Sequence, residues 1–91
     1  MTYNLHLTVN NDFSILKLFK GDQLIVEKSW PEERDMGKRL LVSLEQILSE
    51  IKINPEMIES FLVTGEAPEN FTSRRIAETV SRVYNFAIDQ R

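Results

Sequence analysis

Few residues in this chain are of a type that carries chemistry, and their spacing argues against most of what they might do. His6 is the single histidine and there is no cysteine. A thiolate nucleophile, a disulfide and a cysteine-ligated zinc or iron–sulfur centre are therefore excluded, and His6 has no second imidazole with which to share a metal. A solvent-facing or hydrogen-bonded sheet histidine is the expected role for it. Glu32, Glu33 and Asp35 are close enough in sequence to act as paired carboxylates in acid–base work. They stand where a helix is expected to begin, and negative charge is favourable there through the helix dipole alone. Ser43 and Ser73 lack the GxSxG setting of an activated serine. Gly21, Gly37 and Gly65 are spaced neither as GxGxxG nor as GxxxxGK, so no phosphate cradle is expected. The expectation is a chain without catalytic, cofactor-binding or metal-binding residues.

Charge offers a second kind of chemistry. The 11 Lys and Arg against 14 Asp and Glu leave a net charge of −3, which argues against a general nucleic-acid or anionic-membrane binder. The distribution is uneven. Residues 71–91 hold Arg74, Arg75, Arg82 and Arg91 against Glu78 and Asp89, whereas residues 35–70 hold seven acids against Lys38, Arg39 and Lys52. Arg74, Arg75 and Arg82 are thus candidate RNA contacts. The competing reading is a solvated helix face with an Arg74–Glu78 pair one turn apart.

The elements that must position these residues follow from periodicity. Ninety-one residues form one domain, 1–91, with a modest core. At 42% hydrophobic and 27% charged residues, the composition is that of a folded globular chain. Tyr3, Leu5, Leu7 and Val9 alternate with Asn4, His6, Thr8 and Asn10, which predicts a strand with one apolar and one polar face. The Asn10-Asn11-Asp12 turn leads to a second strand over Phe13–Lys20, and Gly21-Asp22 to a third over Gln23–Ser29, ended by Trp30-Pro31. The period then changes to that of a helix. Met36, Leu40, Leu41, Leu44, Ile47, Leu48 and Ile51 form one apolar stripe, closed by Asn54-Pro55.

A turn at Pro55–Glu59 precedes a short strand over Phe61–Thr64, followed by a loop over Gly65–Asn70. Thr72 or Ser73 is the expected N-cap of a second helix, with Ile76, Val80, Val83, Tyr84, Ala87 and Ile88 on its stripe. The order β-β-β-α-β-α, with a right-handed strand–helix–strand crossover, predicts a mixed four-stranded α/β sheet of order 3-2-1-4. Both helices are expected on one face. The polar side of the first strand argues for two layers, because a central strand covered on both sides should be apolar throughout. Trp30 and Phe86 stand out: Phe86 lies off the main stripe, which suits an interface anchor or, equally, a cap on the core edge.

From Leu62 to Ala87 the chain reads LVTGEAPENFTSRRIAETVSRVYNFA, and this stretch resembles the signature of the TsaB/YeaZ family. That family, which is related to the M22 glycoproteases, serves tRNA threonylcarbamoyladenosine biosynthesis in bacteria. Its pattern there is GxGPGSFTGxRIG followed by an alanine-rich helix. Gly65, Pro68, Phe71, Thr72, Arg75 and Ile76 match the pattern, while Ala67, Glu69, Asn70, Ser73 and Ala77 depart from it. The resemblance runs from Leu5 to Glu27 against the family's opening hairpin and again at Arg39-Leu40-Leu41.

The resemblance implies part of an actin-like, ribonuclease H-like (ASKHA) lobe, here a truncated and diverged N-terminal half-lobe. The family's first-strand aspartate falls at Thr8, which cannot supply the charge used in metal and phosphate chemistry. It also implies a non-catalytic scaffold that pairs through its helices, either as a homodimer or as a heterodimer with a TsaD-like protein. Transfer RNA would be engaged at most indirectly. Candidate interface residues are Met36, Leu40, Leu44 and Ile47 on the first helix and Ile76, Val80, Val83 and Phe86 on the second, of which some must pack on the sheet. The N-terminus lacks the pattern of a signal peptide and no apolar run is long enough to span a bilayer, so a cytoplasmic location without membrane attachment is expected.

Overall fold

A computed structural model describes residues 2–90 of the chain. Four strands, β1 (Tyr3–Val9), β2 (Phe13–Lys20), β3 (Gln23–Pro31) and β4 (Ile58–Thr64), form one sheet in the order β3-β2-β1-β4. The β1–β2 and β2–β3 pairs are antiparallel and β1–β4 is parallel, as the crossover through a helix requires. Two helices, α1 (Met36–Ile51) and α2 (Thr72–Asp89), complete the fold. The expected element order, strand order and α/β class are those observed.

Alternation along β1 sorts its side chains as expected. Leu5, Leu7 and Val9 are buried, and the register sets them beside Leu18, Leu16 and Ser14 of β2, which are buried as well. Met36, Leu40, Leu44 and Ile47 of α1 join them in one core with Trp30, Ile58, Phe61 and Ala77. On the other side of β1, Asn4 and His6 are half-buried and each meets a hydroxyl on β4. Ser60 Oγ donates to Asn4 Oδ1 at 2.6 Å, and His6 Nε2 is hydrogen-bonded to Thr64 Oγ1 at 2.7 Å. These cross-strand bonds satisfy the polar face locally and leave the sheet two-layered.

Several boundaries differ from the sequence reading, each for a local reason. β3 runs on through Trp30 to Pro31, paired with Ser14 and Phe13. A proline is tolerated there because β3 is an edge strand. α1 begins only at Met36. Asp35, at its N-cap position, makes no capping bond and instead accepts from Arg39 Nε at 2.9 Å. That hydrogen bond, with the charge of Asp35 itself, pushes the Arg39 pKa above its ordinary value. The helix ends before the proline, at Lys52, whose N–H still bonds Leu48 O and whose left-handed backbone (φ 58°) turns Ile53 N back to the same oxygen at 3.2 Å. A single 3₁₀ turn over Pro55–Met57 replaces the broader turn, and β4 starts three residues earlier than expected.

Candidate functional site

The loop that carries the family-like motif, residues 65–71, is tied down against the end of β1. Gly65 adopts φ +125°, and a Cβ there would stand 2.1 Å from Val9 O. No other residue fits that close approach. Ala67 N donates to Val9 O at 3.0 Å and Glu66 N to Asn10 Oδ1 at 3.0 Å. Arg74 closes the loop from the helix side, its Nη1 donating to Gly65 O and Ala67 O at 3.1 Å each.

The start of α2 is also held by distant residues. The helix begins at Thr72, with Phe71 as a cap residue that makes no side-chain capping bond, so neither Thr72 nor Ser73 is the N-cap. Ser73 Oγ instead donates to Glu32 Oε2 at 2.8 Å, and the same oxygen accepts from Arg34 N at 3.1 Å. Glu32 thus places a negative charge at the N-terminus of α2, where the helix dipole favours it. Of the three acids considered as a catalytic pair, Glu32 serves α2, and Glu33 and Asp35 lie beside Arg39 at 3.8 and 2.9 Å. Glu32 and Asp35 are thus held in hydrogen bonds, and Glu33 stays largely in solvent. Among the described residues no group of three or more His, Asp and Glu is placed to hold a metal ion.

The candidate interface residues divide sharply. Met36, Leu40, Leu44 and Ile47 are core residues, buried against the sheet, so the expectation that they face a partner is corrected. The residues of α2 lie differently. Val83 is 65% exposed, Phe86 66% and Ile76 36%, while Val80 is half-buried at the edge of the core. The inward positions of α2 are instead Ser73, Ala77 and Ser81, one turn apart, whose small side chains let the helix lie close against the layer beneath. An apolar groove of about 410 Å³ runs beside the outer row, lined by Pro55, Thr79, Val80, Val83, Tyr84 and Ala87. A second hollow of about 390 Å³ adjoins it at Thr72, Arg75, Ile76, Thr79 and Val80.

The candidate RNA contacts divide as well. Arg74 is mostly buried, occupied by two loop carbonyls and 3.7 Å from Glu78. Arg75 and Arg82 are exposed on α2, and Arg91 lies outside the described residues. Thr8 sits on β1 beside Thr64, on the polar face of the sheet. Among the described residues, no helix is long and apolar enough to cross a membrane.

Solved structures share this architecture. YeaZ from Pseudomonas aeruginosa superposes with a TM-score of 0.80 at 23% identity, over 98% of this chain and 41% of that one. An uncharacterized protein with similarity to peptidase YeaZ, from the same organism, gives a TM-score of 0.79 at 23% identity, over 98% of this chain and 40% of that one. No family model matches the sequence, and a search of curated proteins finds no match. The chain therefore has the fold of a YeaZ-like lobe and spans about two fifths of the length of the structures it resembles.

Proposed function

We propose that this chain is a non-catalytic protein-interaction module of the TsaB/YeaZ type, pairing through the outer face of α2 with a second copy or with a TsaD-like protein. In that role it bears on threonylcarbamoyladenosine modification of tRNA without touching the tRNA itself. The observation that carries the reading is the exposed apolar row on α2. Ile76, Val80 and Val83 follow one another at steps of four and three, the spacing of a helix–helix seam, with Phe86 beside them. Exposed aromatic and branched residues next to an apolar groove are the composition of an interface centre. The YeaZ-like fold supports the choice of partner class.

The test is light scattering of the purified protein over a range of concentrations, alone and mixed with a purified TsaD-like protein. Association with either partner, lost in the double variant V83S/F86S, is the expected result. A strict monomer that also fails to bind the TsaD-like protein overturns the reading. The RNA-contacting alternative is left with Arg75 and Arg82, since Arg74 is bound to the loop. Salt-sensitive tRNA binding that disappears in R75A/R82A is the result that would favour it.

A further inference from the structure

We propose that Asn85 is a strand mimic: its side-chain amide occupies the outward peptide groups at the middle of β4 as a paired strand would, and keeps a second copy of the chain from extending the sheet there. Among the described residues β4 lies at the edge of the sheet, paired on one side with β1. Such an edge presents outward peptide groups that template pairing with another strand. The sequence of β4, IESFLVT, is suited to that fate, with Ile58, Phe61, Leu62 and Val63 and no proline.

At Phe61 the outward groups are already occupied. Phe61 N donates to Asn85 Oδ1 at 3.0 Å, and Asn85 Nδ2 donates to Phe61 O at 2.9 Å. This reciprocal exchange with one residue is what a partner in an antiparallel strand would make. A primary amide can reproduce it because it carries the same donor and acceptor as a peptide group. Ser81 Oγ adds a second bond to Phe61 O at 2.7 Å, and Asn85 Nδ2 lies 3.3 Å from Ser81 Oγ, which fixes the amide in place.

The position along the strand matters. β4 spans Ile58–Thr64, so Phe61 is its central residue, with three residues on either side. Blocking the centre leaves two stretches shorter than the roughly five to six residues of an ordinary strand. Val63, two residues beyond Phe61, turns its peptide groups to the same outer edge. Among the described residues no side chain is hydrogen-bonded to them.

The experiment uses the full chain in a V83S/F86S background, which separates sheet pairing from helix association. N85A and N85Q are compared with the background protein by light scattering and amide hydrogen exchange. The expected result is concentration-dependent association of N85A, with exchange at Val63 slowed about tenfold or more on assembly, and partial or full return to monomer in N85Q, whose amide can still reach the edge. N85A that stays monomeric, with Val63 exchange unchanged, overturns the proposal and leaves Asn85 as a tether for α2. If N85A does not fold, the V83S/F86S background protein decides. Phe61 N–H must exchange about tenfold more slowly than Val63 N–H, and equal rates overturn the proposal. Because the helix seam is removed throughout, failure here leaves the proposed function standing, and the reverse holds equally.

Discussion

The two helices are built from similar periodic patterns and use them in opposite ways. α1 turns Met36, Leu40, Leu44 and Ile47 into the core and is stabilised there by ordinary hydrophobic burial. α2 turns Ser73, Ala77 and Ser81 inward and leaves Val83 and Phe86 in solvent. A helix that packs with its small residues lies close to its neighbours, and its large apolar side chains are displaced to the flank. The difference separates a structural helix from one with a surface to offer. It also shows that an apolar stripe marks an amphipathic helix without saying which part of the stripe faces inward.

Substitutions on the two helices are expected to differ in the same way. Ile47→Ala on α1 removes a fully buried side chain and is expected to cost about 2–5 kcal/mol, read as a fall in the denaturant midpoint at unchanged m-value. A loss below 1 kcal/mol would contradict the assignment of α1 to the core. Ala77→Leu on α2 forces a large side chain into the close contact and is expected to cost about 1–3 kcal/mol by the same measurement. A neutral or stabilising result would mean that the inward face of α2 has room to spare.

The outer face should respond in the reverse sense. V83S/F86S is expected to leave stability within about 0.5 kcal/mol per site, since both residues are exposed, while association measured by light scattering is lost. Smallest of all is Lys28–Glu50, a 2.8 Å ion pair between β3 and α1 with both side chains partly in water. Glu50→Gln is expected to change stability by about 0–1 kcal/mol, shrinking further at high salt, and thermal melts at two ionic strengths check it. A larger effect would assign to this pair a share of the α1 packing that belongs to the core residues.

Much of this was legible from local pattern. Alternation in β1 separated Leu5, Leu7 and Val9 from Asn4, His6 and Thr8, and both sets lie on the sides that the pattern implied. The exposure of Phe86 agrees with its place off the main stripe. Other features were not legible because their partners are far away in sequence. Glu32 reaches Ser73 across 41 residues, His6 reaches Thr64 across 58, and Asn85 reaches Phe61 across 24. Arg74 looked like a solvated cation and is bound to two loop carbonyls, a role that depends on how residues 65–71 fold over β1.

Local pattern in the chain specifies the main elements, their order and the four-stranded topology. Side-chain period, turn residues and crossover handedness are local or nearly local constraints, so short stretches of chain carry them. The sequence also excluded thiol chemistry and a histidine-paired metal site, through residue types that are absent or single. Which apolar residues are core and which are surface is set by the docking of the elements. That choice depends on which face of α2 docks, and Ser73, Ala77 and Ser81 are the residues that it buries. The hold of α2 on Phe61 of β4 arises the same way, because the Asn85 amide reaches that strand only once the helix that carries it is docked.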